Sequence, residues 1–135
     1  MTLATLIAAL IIVESGGKDD AVGDGGMAVG CLQIWPCALD DVNRIAGTDF
    51  TLADRFDRQK SIRMCEIYLK HWGAYYERQT GKRPTAKVLA RIWNGGPAGW
   101  KHGETLAYWR KVWKTLDEQR VESEQAGAVA GRTED

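Results

Sequence analysis

Residues 13–36 read VESGGKDDAVGDGGMAVGCLQIWP, in which a carboxylate, Glu14, closes an apolar run and is followed at once by a glycine-rich stretch. Upstream, Leu3 to Val13 is continuously apolar and predicts a central core helix, buried on nearly all sides, that stops at Ser15-Gly16-Gly17. Downstream, six of the chain's 15 glycines fall between Gly16 and Gly30. Each adds backbone entropy that folding must overcome, so the stretch predicts tight turns or close approach of an extended ligand. Short β-prone pieces at Met27 to Val29 and Cys31 to Ile34 predict a small hairpin or irregular lobe. Glu14 would then stand where burial and the negative end of a helix both disfavour its charged form. A carboxyl held protonated near neutral pH can act as a general acid. A solvated helix-end glutamate is the plainer alternative.

The rest of the chain reads as helices separated by clear punctuation. One opens at Pro36 and ends before Gly47; the longest runs from about Arg58 to Gln79, with Cys65, Leu69, Trp72 and Tyr76 on one core face. Thr85 caps a short helix through Val88, Leu89 and Ile92 that halts at Asn94-Gly95-Gly96-Pro97. A final helix from about Glu104 places Leu106, Trp109, Val112, Trp113 and Leu116 at core spacing. Past Glu118 charges alternate with small residues, and the last dozen residues are expected to be disordered. The expectation is a mainly α chain with a small β-prone lobe.

Composition removes several function classes. With 135 residues, 18 basic and 18 acidic, the chain suits one domain that buries roughly two-thirds of its unfolded surface. It has no basic field to hold nucleic acid or an anionic membrane. The apolar start lacks a basic n-region and is short of the roughly 20 residues of a membrane span. No export signal and no stable membrane insertion are therefore expected. Cys31, Cys37 and Cys65 are odd in number and form no C-x-x-C pair, which predicts buried thiols rather than a disulfide framework. His71 and His102 stand apart, so no metal site is expected.

Two further features carry chemistry. Gly23-Asp24-Gly25-Gly26-Met27-Ala28 matches G-x-G-x-x-A, yet no strand ends just before it and no helix opens after it, which argues against dinucleotide binding. Asp24 is either a turn residue or a second active-site carboxylate. Six tryptophans stand against two phenylalanines. Trp72, Trp109 and Trp113 lie at core spacing, whereas Trp35, Trp93 and Trp100 flank turns, where indoles either anchor structure or stack on sugar rings.

Taken together, these motifs resemble the lysozyme-like lytic transglycosylases and goose-type lysozymes. ESGG at Glu14 to Gly17 is similar to the family's first motif, and GCLQIWP at Gly30 to Pro36 to its G-L-M-Q-I-x-P segment. ARIWNGGP at Ala90 to Pro97 resembles A-x-Y-N-A-G-P, and ETLAY at Glu104 to Tyr108 resembles E-T-x-x-Y. The four arrive in the family's order across about Leu3 to Leu116. Cys31, Trp93 and Gly95 stand where leucine, tyrosine and alanine are usual.

The resemblance implies an α+β lysozyme-like fold, with residues 1–117 the catalytic domain and 118–135 a helix end and tail. It implies cleavage of the β-1,4 bond between N-acetylmuramic acid and N-acetylglucosamine in peptidoglycan glycan strands, by a monomer, with no metal or organic cofactor. Glu14 would be the acid, Tyr108 its hydrogen-bond partner, and Gln33, Ile34, Trp35, Trp93, Asn94 and Gly95 the sugar-binding set. Asp24 matches an aspartate of goose-type lysozymes; a second aspartate of those enzymes is here Trp35. The expectation leans to hydrolysis, with lytic cleavage to a 1,6-anhydro end close behind. Chitin cleavage and an idle glycan-binding or virion module are the alternatives. Without a visible signal peptide, the expected setting is a protein made in the cytoplasm that reaches the cell wall on release, as a phage endolysin does, in a phage particle, or as a co-exported bacterial enzyme.

Overall fold

In the computed structural model, which describes the backbone of residues 1–133 and side chains through residue 128, five helices carry the fold. Helix α1 (Leu3–Ser15) is capped by Thr2, whose hydroxyl accepts from Thr5 N, and ends on the left-handed Gly16. Helix α2 (Pro36–Ala46) has its proline in the first turn, where no N–H is needed, and stops at Gly47. Asp57 caps α3 (Arg58–Thr80) and Thr85 caps α4 (Ala86–Gly95), each side chain accepting a backbone N–H of the first turn. Helix α5 (Leu106–Thr133) completes the body.

Leu6 and Leu10 of α1 meet a core that includes Met64 and Leu69 of α3, Ile92 of α4 and Val112 of α5. The sequence reading buries α1 on nearly all sides. The structure instead leaves Ala4, Ala8 and Ile12 exposed, because α3, α4 and α5 pack against α1 without enclosing that face. Trp113, expected in the core, is 55% exposed. Beyond Glu118, where a tail is expected, α5 continues to Thr133, with Arg120 paired to Asp117 and Glu124 at helical spacing. The last two residues of the expected tail lie outside the described residues. Among the described residues no helix is long and apolar enough to cross a membrane.

The lobe between α1 and α2 holds an antiparallel pair, β1 (Val22–Gly23) and β2 (Ala28–Val29), with Val22 opposite Val29 and Gly23 opposite Ala28. The expected second strand at Cys31 to Ile34 is a turn. Only Ile34 rejoins the pairing, as a single bridge to Val29, because Gly30 (φ +84°) and Gln33 (φ +52°) turn the backbone out of the extended form.

Arg55 fastens this lobe to the helical body. It is 6% exposed, and its guanidinium donates to the carbonyls of Met27 (3.0 Å), Ile34 (2.7 Å) and Leu52 (3.0 Å). Gly30 lies so close that a Cβ there would sit 1.8 Å from the Arg55 carbonyl oxygen.

Candidate active site

A cleft of about 570 Å³ opens between the end of α1, the lobe, the start of α2 and the end of α4. Glu14 is at its floor, in the last turn of α1. Ser15 holds that turn in place: its hydroxyl donates to the carbonyls of Ile11 (3.0 Å) and Cys31 (2.8 Å) and accepts from the N–H groups of Gly17 and Lys18. Arg58 fixes the loop beyond it, donating to Asp19 at 2.9 Å and to the Gly17 carbonyl.

Tyr108 reaches Glu14 from α5, its hydroxyl donating to Oε2 at 3.0 Å. Thr105, 1% exposed, sets the start of that helix: its hydroxyl meets the carbonyls of Gly99 and His102, both at 2.8 Å, and accepts from Arg91 at 2.7 Å. Burial pushes the Glu14 carboxyl from 4.5 up to about 7. The donors Tyr108 and Trp93 act in the opposite sense, and the charge of Asp24 adds to the rise. Burial, reinforced by Glu14, likewise raises the Tyr108 phenol well above its ordinary value, so it stays a donor. The arrangement is a carboxyl that holds its proton near neutral pH and is aimed into an open groove.

Of the residues expected at the site, Glu14, Asp24, Gln33, Ile34, Trp35, Trp93 and Asn94 all line this cleft. Asp24 projects from the lobe with φ +51°. Trp35, 39% exposed, stands at the mouth of α2. Gln33 is committed to the fold as well: its amide nitrogen donates to the carbonyls of Ala21 (3.2 Å) and Gly30 (3.0 Å), bracing the lobe. Gly95 does not line the cleft, whereas Gly96 does; a Cβ on Gly95 would meet the Thr105 methyl at 2.6 Å, so its small size serves packing. Trp100 is absent from the cleft and packs edge-on against Tyr76, ring centroids 4.9 Å apart.

The sequence reading missed three groups. Tyr68 of α3 reaches the cleft and packs edge-on against Trp93 at 5.4 Å. It lies three residues after Cys65 and four before Trp72, so the helical period contained it. Cys37, expected among buried thiols, is instead exposed on the cleft wall, because it occupies the outward first turn of α2. Ser15, Arg91 and Thr105 act by positioning, which no spacing rule exposes. Cys31 and Cys65 are buried, and burial raises both thiols. Among the described residues no group of three His, Cys, Asp or Glu side chains is placed to hold a metal ion.

A family model described as the transglycosylase SLT domain matches residues 1–114. The chain belongs to this family, whose members define a peptidoglycan-directed, lysozyme-like class. No curated protein matches it. Among solved structures, it is similar to a chain of the crystal structure of Aeromonas hydrophila PliI in complex with Meretrix lusoria lysozyme. The TM-score is 0.69 at 23% identity, with 84% of this chain and 89% of that chain covered. At that identity the likeness is one of fold.

Proposed function

We propose that this chain cleaves the β-1,4 bond between N-acetylmuramic acid and N-acetylglucosamine in peptidoglycan glycan strands, with Glu14 as the general acid. The observation that carries the reading is the Glu14 carboxyl itself, held by burial at about 7 on the floor of an open cleft. Protonated Glu14 would give its proton to the glycosidic oxygen as the bond breaks and positive charge develops at the muramic acid C1. The carboxylate left behind stands beside that charge, with the Tyr108 hydroxyl to hold it.

Family membership supports lytic cleavage. In that step the C6 hydroxyl of the muramic acid attacks C1, its proton passes to Glu14, and a 1,6-anhydro end forms. The position of Asp24 supports a second outcome. A carboxylate on the wall of the same cleft can activate a water, which adds to C1 and gives a reducing end.

Digestion of purified peptidoglycan, followed by mass analysis of the fragments, tests both. Anhydro fragments with undiminished yield from Asp24→Asn support the lytic step. Reducing fragments whose yield collapses in Asp24→Asn support hydrolysis. Binding of glycan without any cleavage by the folded protein overturns both and leaves an idle glycan-binding module.

A further inference from the structure

The cleft does not end at the sugar-facing residues. Past Cys37, Ala38 and Tyr68 it runs on into a second hollow of about 410 Å³ along α2, whose remaining lining is Asp40, Asp41 and Arg44. Cys37, Asp40, Asp41 and Arg44 share one face of α2 at helical spacing, opposite the buried Leu39 and Val42. The hollow carries Asp40, Asp41 and Arg44 and no indole, whereas the catalytic part of the cleft sets Trp35 and Trp93 beside Glu14 and Asp24.

Tyr68 marks the junction of the two. It is 7% exposed and lines both hollows, yet among the described residues its hydroxyl has no hydrogen-bond partner. The ring is buried while the hydroxyl keeps access to the groove, so it can pair with whatever occupies that groove. Asp41 is already engaged, accepting from Trp72 Nε1 at 2.9 Å and from Arg44. Among the described residues Asp40 has no such partner, and it is exposed.

We infer that this extension receives the peptide stem of the substrate, with Tyr68 hydrogen-bonding its backbone and Asp40 holding the free ammonium of its diamino residue. The inference rests on the glycan-cleavage reading above, because the stem is attached to the muramic acid that the catalytic part of the cleft would hold. The dimensions agree. From Cys37 to Arg44 α2 rises about 10 Å, and three extended peptide residues, which bring a stem to its diamino position, span about 10 Å. Lysine and diaminopimelate stems share the ammonium; diaminopimelate adds a carboxylate within the chemistry of Arg44.

The test compares kcat/KM on three preparations of the same glycan strands: stem-bearing, stripped of stems by an amidase, and stem-bearing with the amines acetylated. The unmodified protein is expected to prefer stem-bearing over stripped strands by about two- to fivefold, the range of an exposed charge pair. Acetylation should lower that preference to the part the Tyr68 contact supplies. Asp40→Asn should lower the ratio to the same extent, and Asp40→Glu should restore it. Lysine-type and diaminopimelate-type strands run in parallel identify which stem is read. Equal rates on stem-bearing and stripped strands, or a preference left undiminished by acetylation or by Asp40→Asn, overturn the inference while leaving the cleavage reading intact. No cleavage of any preparation overturns the cleavage reading and the inference with it.

Discussion

The Tyr108 hydroxyl lies 3.0 Å from Oε2 of Glu14, although 94 positions separate the two residues in the chain. One ends the first helix and the other belongs to the last, so the contact exists only when α1 and α5 are packed. Its electrostatic sense is definite: a donated hydrogen bond favours the carboxylate, against the burial that favours the acid.

Replacing Glu14 by glutamine should lower the rate of peptidoglycan cleavage by a factor of about 10² to 10⁴, since the amide keeps the shape and loses the transferable proton. Turnover by the folded variant within tenfold of the parent would exclude Glu14 as the acid.

The same substitution makes a prediction about stability. A carboxyl raised from 4.5 to about 7 binds its proton more tightly in the folded state. The stabilisation is complete below the unfolded value and is lost as pH rises through about 7. It amounts to roughly 3 kcal/mol. Thermal melts across this range should show Glu14→Gln gaining on the parent as pH rises. A constant difference between the two proteins at all pH values would contradict the burial of an ionisable group there.

Activity that depends on protonated Glu14 should fall on the alkaline side as pH passes about 7. Tyr108→Phe removes a donor from the carboxylate, so it should move this limb to higher pH while lowering the maximal rate. A pH–rate profile of the variant that superposes on the parent's would show that the hydrogen bond does not bear on the reacting state.

Trp35 and Trp93 line the cleft, whereas Trp100 packs on Tyr76. A chitooligosaccharide should therefore change the tryptophan fluorescence of the parent and of Trp100→Ala alike. Trp35→Ala should lose much of the signal and bind about three- to tenfold more weakly. Loss of the signal in Trp100→Ala alone would place the sugar elsewhere.

Gly30 combines a left-handed φ of +84° with a carbonyl oxygen 1.8 Å from where a Cβ would stand. Gly30→Ala should cost about 3 kcal/mol or more, through strain and through displacement of Arg55 from the lobe. Denaturant titration measures it; a loss under about 1 kcal/mol would mean that the lobe shifts freely against the turn that carries Arg55.

The helices were legible because their signals are local. Thr2, Asp57 and Thr85 accept first-turn N–H groups, Pro36 opens α2, and Gly16, Gly47 and Gly81 close helices in the left-handed conformation. Glu14 was legible for the same reason, since an apolar run ending in a carboxylate before glycines is a pattern within a few residues. The exposure of Trp113 and of Ala4, Ala8 and Ile12 was not, because periodicity marks an apolar face without saying how many neighbours cover it. The hairpin register escaped as well: it is set by Gly30 and Gln33 turning the chain and by Arg55 pinning Met27 and Ile34 from far along the sequence.

What the sequence by itself determined is the set of helices, the glycine-rich lobe and the candidate acid at the end of α1. Only the tertiary structure decided the surroundings of that acid: the depth that raises it to about 7, the packing that brings in the Tyr108 donor implied by the family resemblance, the Tyr68 hydroxyl facing the groove and the extension along α2. Helix caps and turns are fixed by interactions between residues a few positions apart. Burial, and therefore the proton affinity of a carboxyl, is fixed by which distant side chains exclude water from it.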